Sequence, residues 1–446
     1  MPSALDDRLK ATLDSRKSRQ MLRQLDPAPP ASSNLVDFSS NDYLSFARSP
    51  VLRRKLVDAL ATVDDGTATP LYGPPSSRLL DGNTPLHASL ERRLAAFFDA
   101  PAALVFNSGF DANVGLWTCL PAPDDWIVYD ELVHASMHDG MRASRVPSER
   151  RRAFRHNRVE SLERVLEGIA ARDEGVRAGE RSVWVGVESL YSMDGDLAPL
   201  REMVDAIDRV LPRGNVHLVV DEAHSSGLYG VRGRGLVAAL GLEHRVTVRV
   251  HTFGKAMACS GAVVLASPLI RDYLINYARP LIYSTVMTHL SALAVVKSLE
   301  MLEQGHSEAP AAHVHTLALR LFSRLSSLLP STSSVSLPPH LVAIVTSPLT
   351  RVTPHPPTSP IIPLLTSSPR PLAAFLRTRG FLSRPITHPT VPHGEERVRV
   401  CLHAGNTVRE VDGLCDAVAE WAREEDNRKS RTTGGERRRE QLQAKL

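Results

Sequence analysis

The sequence predicts an α/β protein built on a mostly parallel, doubly wound sheet. Between about residues 50 and 285, helical patterns alternate with short apolar runs, most of them continuous in Val, Ile or Leu. Such runs are typical of strands buried on both faces, and their alternation with helices requires parallel crossover connections. Six runs show the pattern: AALVFNSGF, DWIVYDELVH, SVWVGVESL, VHLVVDEAH, RVTVRVHTF and GAVVLAS.

Changes in pattern divide the chain into four parts. Residues 1–48 hold a helical stretch, the break PAPP and a short apolar segment. Residues 49–287 carry the alternating pattern of a large domain, and residues 288–425 carry the helices and strands of a smaller α+β domain. Residues 426–446 form a basic, flexible tail. A proline-dense stretch between Leu341 and Leu365 is predicted to be an exposed loop joining two edge strands.

The composition is that of a soluble globular protein. Of its 446 residues, 43% are hydrophobic and 23% are charged, and no window approaches the roughly 20 uninterrupted apolar residues of a membrane-spanning helix. The first ten residues, MPSALDDRLK, are too acidic and polar for a secretory signal. The four cysteines lack the spacing of a zinc site or a disulfide framework, so we expect a reducing compartment and no bound metal.

The carboxyl-terminal tail concentrates positive charge. From Asn427 onward it holds seven Lys or Arg and two Glu, whereas the whole chain has a formal net charge of +4. Such a run can bind nucleic acid or anionic lipid, but a solvated, mobile end is commoner, and we expect neither partner. The last three residues, 444–446, read Ala-Lys-Leu and resemble the peroxisomal address Ser-Lys-Leu, which predicts recognition by the import receptor and a peroxisomal rather than cytoplasmic location.

Two residues at the ends of predicted strands suggest chemistry. Asp221 ends VHLVVD with His224 three residues later, and this pair alone fits a metal site, a helix cap or a partner for a cationic ligand. Lys255 follows RVTVRVHTFG among small residues, either as a surface lysine or as an amine that reaches a ligand. A Walker loop lacks its Ser or Thr here, and Ser260 lacks the glycines of GxSxG. What remains is a lysine that condenses with a carbonyl cofactor beside an acid that holds a pyridinium nitrogen.

Several motifs together resemble the α-oxoamine synthases, which condense an amino acid with an acyl-CoA. The likeness runs from about Leu13 to Trp421. It implies a fold-type-I transferase fold and pyridoxal phosphate (PLP) as cofactor, and it is strongest to the branch that joins L-alanine to pimeloyl-CoA in biotin synthesis. In chain order the motifs are SSNDYL, FNSGFDANVG, ESLYSMDGDLAPL, VDEAHSSGLYGVRGRG and HTFGKAMACSGA.

The resemblance implies a role for each residue around the cofactor ring. Lys255 would bind the PLP aldehyde and later remove the substrate α-proton, and Asp221 would keep the ring nitrogen protonated. His224 and Ser192 would reach the phenolic oxygen. His134 would stack on the outer face of the ring and guide the substrates.

The resemblance also implies a site for the cofactor phosphate. This site falls at Ser108, Gly109 and Phe110, where a strand gives way to a helix whose N terminus favours an anion. Thr252 would add a hydroxyl from the other side.

Five further positions concern the second subunit and the substrates. Ser284 and Thr285 match the segment that enzymes of this fold lend to the neighbouring subunit's phosphate, so the resemblance implies a homodimer with the active site at its interface. Arg399 matches the arginine that clamps the substrate carboxylate, a task that suits its bidentate guanidinium. Thr390 and Arg23 match positions that contact substrate.

The resemblance leaves related activities open. Other branches use glycine, namely 5-aminolevulinate synthase and 2-amino-3-ketobutyrate CoA ligase, whereas serine palmitoyltransferase fits less well without a membrane anchor. A non-catalytic partner subunit is disfavoured because it would not need Lys255, Asp221 and His224 together. Pro74 and Pro75 replace the small residues usual in the family, which affects the predicted acyl-CoA channel.

Overall fold

The computed structural model describes residues 3–19, 21–23, 25, 34–61, 73, 76–341 and 358–443, and only the backbone of 432–443 is considered. Three features of the sequence therefore lie outside the described residues. They are Pro74 and Pro75, positions 342–357 of the proline-dense stretch, and the tripeptide 444–446.

The helices of the described residues are numbered in chain order. They are α1 (Ala4–Ser18), α2 (Pro50–Ala61), α3 (Pro85–Phe97), α4 (Gly109–Cys119), α5 (Ala135–Ala143), α6 (Val159–Arg172), α7 (Glu174–Ala178), α8 (Leu200–Val210), α9 (Leu236–Ala239), α10 (Pro268–Tyr277), α11 (Arg279–Ile282), α12 (His289–Glu303), α13 (Glu308–Leu328), α14 (Pro369–Thr378) and α15 (Val408–Gln443).

The strands are numbered in the same way. They are β1 (Val36–Asp37), β2 (Ala102–Phe106), β3 (Trp126–Asp130), β4 (Arg151–Phe154), β5 (Val183–Glu188), β6 (Val216–Asp221), β7 (Val248–Thr252), β8 (Ala262–Ala266), β9 (Ile361–Leu365), β10 (Phe381–Leu382), β11 (Arg384–Ile386) and β12 (Arg397–Cys401).

A seven-stranded sheet in the order β2-β8-β7-β6-β5-β3-β4 forms the centre of the molecule. Its neighbours from β7 to β4 pair in parallel, and β8 runs antiparallel to β2 and β7. The predicted mostly parallel α/β sheet is therefore confirmed. All six apolar runs form strands, and β5 is buried along its whole length because helices cover both faces of such a sheet.

The strand β4 has no counterpart among the predicted runs. Its sequence, RRAF, is mostly polar, and only Phe154 in it is buried. It lies at the edge of the sheet and pairs with β3 alone. An edge strand needs no continuous apolar run, and charged side chains there discourage pairing with another chain.

The parallel strands bring polar residues to one edge of the sheet, where open α/β sheets bind ligands. Each of four neighbouring strands ends on a polar side chain that reaches this edge: Asp130 on β3, Glu188 on β5, Asp221 on β6 and Thr252 on β7.

The amino-terminal segment joins the carboxyl-terminal part of the chain. Strand β1 pairs in parallel with β10, with Val36 opposite Phe381. A separate antiparallel sheet has the order β11-β12-β9. Cys401 N donates to Phe38 O over 2.9 Å, and Ala404 N donates to Tyr43 O over 2.8 Å. These bonds bring the SSNDYL motif close to β12.

The last helix, α15, continues beyond residue 425 to Gln443. The boundary predicted at 425 therefore does not coincide with the end of an element, and the domain division otherwise stays a prediction. Among the described residues, no helix is both long enough and apolar enough to span a membrane.

Candidate active site

The carboxylate of Asp221 is buried and fixed by two hydrogen bonds. Asn113 Nδ2, from the second turn of α4, donates to Asp221 Oδ2 over 2.8 Å, and Ala223 N donates to Oδ1 over 2.9 Å. Asn113 also donates to Ser136 Oγ over 3.0 Å. The amide therefore connects the acid at the end of β6 with the start of α5.

Lys255 lies in the turn between β7 and β8 and is partly buried. Burial lowers the pKa of its ammonium, Asp221 and Glu188 oppose this shift, and the Arg399 guanidinium adds to it. Within the described part of the chain, no hydrogen bond or ion pair occupies Lys255 Nζ. A desolvated amine with a lowered pKa is the form of lysine that attacks carbonyl carbon.

Close packing explains the small residues around Lys255. Gly227 has φ +82°, and a Cβ there would lie 2.7 Å from the Cβ of buried Ala256. A larger side chain at either position would push the turn out of place.

His224 is buried, and its Nδ1 faces the hydroxyl of Tyr43. Tyr43 Oη lies 2.7 Å from His224 Nδ1. Burial lowers the pKa of His224 well below its usual range, and the positive charges of Lys255 and Arg399 lower it further. The imidazole is therefore neutral, and when the Tyr43 hydroxyl donates to Nδ1, Nε2 keeps its hydrogen for a ligand oxygen.

The residues predicted to bind phosphate come together at the start of α4. Ser108 is the N-cap, and its Oγ accepts from Asp111 N over 3.0 Å. A Cβ on Gly109 would lie 3.5 Å from Thr252 Oγ1, so the strand end of β7 closely faces the helix N terminus. Phe110 is 46% exposed, and its side chain has no polar group to offer a phosphate.

The Ser284–Thr285 segment also reaches this region. Asn107 Nδ2, one residue before the N-cap, donates to Thr285 O over 2.7 Å. The bond fixes the backbone of the segment while the Thr285 side chain stays exposed. Tyr283 beside it is 71% exposed.

His134 is the N-cap of α5 and lies at the mouth of the site. Its Nδ1 lies 2.8 Å from Ser136 Oγ, and its ring is otherwise exposed. Loss of solvation lowers the pKa of His134, Asp221 opposes this, and Lys255 lowers the pKa further. The neutral, orientated ring leaves a face open for stacking.

Arg399 on β12 points at the segment that follows β5. Its Nη1 donates to Ser192 O over 3.2 Å, and its Nη2 lies 3.5 Å from Asn41 Oδ1. Its Nε is buried without a hydrogen-bond partner among the described residues. A partly buried guanidinium with a free N–H is suited to a carboxylate ligand. Ser192 thus meets the site through its carbonyl, and the contact predicted for its hydroxyl stays a prediction.

Two predicted substrate residues are not joined to this cluster. Thr390 is exposed, and its backbone N–H donates to Thr387 O over 3.0 Å. Arg23 is exposed beyond the end of α1, and no hydrogen bond among the described residues links it to the site. Their contacts with substrate stay predictions.

Several residues in contact with the site were not singled out from the sequence, among them Tyr43, Asn113 and Glu188. Tyr43 and Asn113 lie inside the quoted motifs SSNDYL and FNSGFDANVG, but nothing local marks them as partners of His224 and Asp221. Glu188 could have been predicted from the sequence, because it ends an apolar run as Asp221 does. Burial, followed by repulsion from Asp221, raises the pKa of Glu188 well above its usual range.

The cluster fits pyridoxal phosphate. It offers a fixed carboxylate for a pyridinium nitrogen, an unpaired amine for an aldehyde, a neutral histidine for a phenolic oxygen and a helix N terminus for a phosphate. Among the described residues no three His, Cys, Asp or Glu side chains gather as metal ligands. Asp221 and His224 therefore lack a third ligand in this part of the chain.

Comparison with known proteins agrees with this geometry. The family described as aminotransferase class I and II matches residues 33–418. The chain belongs to this family. An 8-amino-7-oxononanoate synthase of Emericella nidulans is 44% identical over 432 residues, which cover 96% of this chain and 99% of that protein. The aminoacyl transferase sphA of Aspergillus fumigatus is 36% identical over 420 residues, or 93% of this chain and 87% of that protein.

Solved structures of class I and II aminotransferase relatives share the fold. A serine palmitoyltransferase of Sphingomonas wittichii superposes with a TM-score of 0.74 at 24% identity, covering 94% of this chain and 98% of that one. An 8-amino-7-oxononanoate synthase of Francisella tularensis gives 0.66 at 22% identity, covering 88% and 98%. The predictions of a fold-type-I transferase and of a PLP-dependent enzyme are confirmed.

Proposed function

We propose that this enzyme condenses L-alanine with pimeloyl-CoA to give 8-amino-7-oxononanoate, CoA and CO2 in biotin synthesis. The observation that carries the proposal is the likeness to the Emericella nidulans synthase over almost the whole of both chains. The site supports it because Lys255, Asp221 and Arg399 lie close to one another. The Asp221 carboxylate raises the pKa of the Lys255 amine, and the Arg399 guanidinium lowers it.

The cofactor, when bound, supplies an electron sink for the carbanion formed at the amino-acid Cα. Asp221 would hold a positive charge on the ring nitrogen through a carboxylate that Asn113 and Ala223 keep in place. His224 would offer its Nε2 hydrogen to the phenolic oxygen. Ser108, Gly109 and the hydroxyl of Thr252 would bind the phosphate.

The reacting atoms are handled by three side chains. Arg399 binds the alanine carboxylate through its free Nε and orientates the Cα–H bond. Lys255 Nζ takes the α-proton, and burial, which lowers the pKa of this amine, favours the neutral form that can accept it. His134 covers the outer face and excludes water from the exposed side. A bond forms between alanine Cα and the thioester carbon, the C–S bond breaks and CoA leaves as its thiolate, the carboxyl group leaves as CO2, and the proton held by Lys255 returns to Cα.

A second candidate is condensation of a different amino acid or acyl-CoA in the same site. It is favoured by the 36% identity to the aminoacyl transferase sphA over 93% of this chain. This second candidate also includes the two glycine-using activities, those of 5-aminolevulinate synthase and 2-amino-3-ketobutyrate CoA ligase. A non-catalytic subunit is disfavoured because a binding scaffold has no use for a desolvated, unpaired Lys255.

The substrate assay crosses L-alanine, glycine and L-serine with pimeloyl-, succinyl- and palmitoyl-CoA and follows CoA release. We expect alanine with pimeloyl-CoA to give the highest kcat/KM, with Lys255→Ala as the inactive control. A higher value for any other pair would transfer the assignment to that pair. No release with any pair would contradict a condensing activity.

We also propose that two copies form a homodimer in which Ser284 and Thr285 bind the partner's phosphate. The segment supports this because its backbone is fixed by Asn107 while Tyr283 and Thr285 remain exposed. Co-expression of Lys255→Ala with a Ser284→Ala/Thr285→Val chain tests it. If the segment acts across the interface, the mixed dimer has one complete site and regains activity, whereas a segment acting within its own chain leaves no complete site.

We propose, finally, that the enzyme is peroxisomal. The proposal is supported by the tripeptide Ala-Lys-Leu at positions 444–446. An amino-terminally tagged chain should localise to peroxisomes, and Lys445→Glu should abolish import without changing activity. An unchanged location of that variant would refute the proposal.

A further inference from the structure

A partly buried histidine outside the predicted site bridges two aspartates at the carboxyl edge of the sheet. His156 follows β4, and its Nδ1 lies 2.9 Å from Asp130 Oδ1 while its Nε2 lies 2.8 Å from Asp196 Oδ2. Asn157 closes the cluster, since its backbone N–H donates to Asp130 and its Nδ2 donates to Asp196 over 2.6 Å. Asp130 is the fully buried last residue of β3.

Both ring nitrogens of His156 face carboxylates, so both must carry hydrogen. Burial opposes a charge there, but the hydrogen bonds that the ring donates to Asp130 and Asp196, with the negative charges of both carboxylates, outweigh it and raise the pKa of His156 to about 10. The ring is therefore a permanent cation at neutral pH. Without it, two largely buried carboxylates would stand close together with no cation between them.

The cluster holds a segment, residues 189–197, that reaches Arg399. Tyr191 N donates to Asp196 O over 3.0 Å, and the His156 ring meets the Tyr191 ring edge-on at 4.4 Å. One residue further, the carbonyl of Ser192 accepts the bond from Arg399 Nη1. The His156 ring and the Arg399 guanidinium are therefore connected through the 189–197 segment, which is held by its own backbone hydrogen bonds.

We propose that His156 is a positioning residue that orientates Arg399 for the amino-acid carboxylate by clamping the 189–197 segment through Asp196. The proposal rests on the proposed function only in that Arg399 receives a substrate carboxylate. His156 itself touches neither substrate nor cofactor. Its loss should therefore weaken amino-acid binding, while acyl-CoA binding and the chemistry at Lys255 are largely kept.

The test uses the holoenzyme with His156→Ala and, as a matched control, His315→Ala. His315 is a buried histidine, bonded to Thr358 and to Leu228 O rather than to the segment. For His156→Ala we expect the KM for the amino acid to rise about tenfold, the loss of roughly one charge-assisted hydrogen bond, with kcat nearly unchanged. For His315→Ala we expect a lower Tm and an unchanged KM.

Chemical rescue with imidazole shows whether the His156 ring acts through its positive charge or only through its volume. Added imidazole at a fixed, subsaturating concentration should restore the KM of His156→Ala better at about pH 6, where the free molecule is protonated, than at about pH 9, where the free molecule is neutral and must take up a proton to bind. His156→Ala leaves a space where the imidazole ring was. The titratable groups around that space are unchanged in this variant, and they are Asp130, Glu131, Tyr191, Asp196 and His340. Equal rescue at both pH values would refute the need for a cation.

Two outcomes would overturn the proposal. In one, His156→Ala folds and its Tm falls while the amino-acid KM stays within about twofold of the wild type, as a purely structural residue predicts. In the other, kcat falls while KM is unchanged. If His156→Ala does not fold, Asp196→Asn replaces it, with a smaller rise in the same KM expected. A wild-type enzyme inactive with every amino acid would instead refute the proposed function and not this inference.

Discussion

Removal of the negative charge at Asp221 tests the electrostatic centre of the site. Asp221→Asn keeps the size of the side chain and an oxygen that can accept from Asn113, whose Nδ2 lies 2.8 Å from Oδ2 in the wild type. What is lost is the attraction between the buried carboxylate and a protonated ring nitrogen. Two unit charges about 4 Å apart at an effective dielectric constant of about 20 attract by roughly 4 kcal/mol.

That free energy acts mainly on the loss of the α-proton, because the bound cofactor, with its ring nitrogen protonated, would supply the electron sink for the carbanion that remains. A loss of roughly 4 kcal/mol slows proton removal about a thousandfold. The assay is exchange of the α-proton of L-alanine in D2O, followed by proton NMR without acyl-CoA, so that condensation does not contribute. Asp208→Asn is the control, since Asp208 on α8 pairs with Arg245 at the surface.

The reasoning would be refuted if Asp221→Asn, fully loaded with cofactor, exchanged within about tenfold of the wild type. An exchange rate that fell only because cofactor was lost would show in the cofactor absorbance, and added PLP would then restore it.

Three further predictions follow from the contacts of the site and core. Arg399→Lys should raise the amino-acid KM at least about tenfold in the CoA-release assay, because an ammonium cannot form the two parallel bonds of a guanidinium; an unchanged KM would place the carboxylate elsewhere. Tyr43→Phe removes the hydroxyl that orientates His224, and we expect a shifted cofactor absorbance and a several-fold lower kcat; identical spectra would contradict this. Burial raises the pKa of Glu222 from 4.5 to about 7, so the folded state loses stability as pH rises through that interval. Glu222→Gln should therefore have a higher Tm than the wild type at pH 8 and no advantage below pH 4.5, as measured by calorimetry; an equal gap at both pH values would exclude the titration as its cause.

Much of the fold could be read from the sequence because burial leaves a strong local signal. Strands such as β5 and β6 are covered on both faces and must be apolar throughout, so their runs stand out. The edge strand β4 has only one neighbour and one buried side chain, so its sequence carries no such signal. The acids at the ends of β5 and β6 follow the same rule, since each is the first polar residue after a buried run.

The partners within the site could not be derived in this way. Tyr43 and His224 are 181 positions apart, and Asn41 and Arg399 are 358 apart. No periodicity or spacing connects residues at such separations, and only the folded chain brings them together. The role of Ser192 shows a further limit, because its backbone carbonyl, and not its side chain, meets Arg399.

The pairing of β1 with β10 has a consequence for biosynthesis. The strand that leads into Asn41 and Tyr43 is translated long before its partner at Phe381 and Leu382 and before Arg399. All strands of the central sheet are likewise translated before the substrate pocket can be completed. The amino acid can therefore meet a complete site only after Arg399 has been added, and a chain truncated before residue 381 should lack condensing activity.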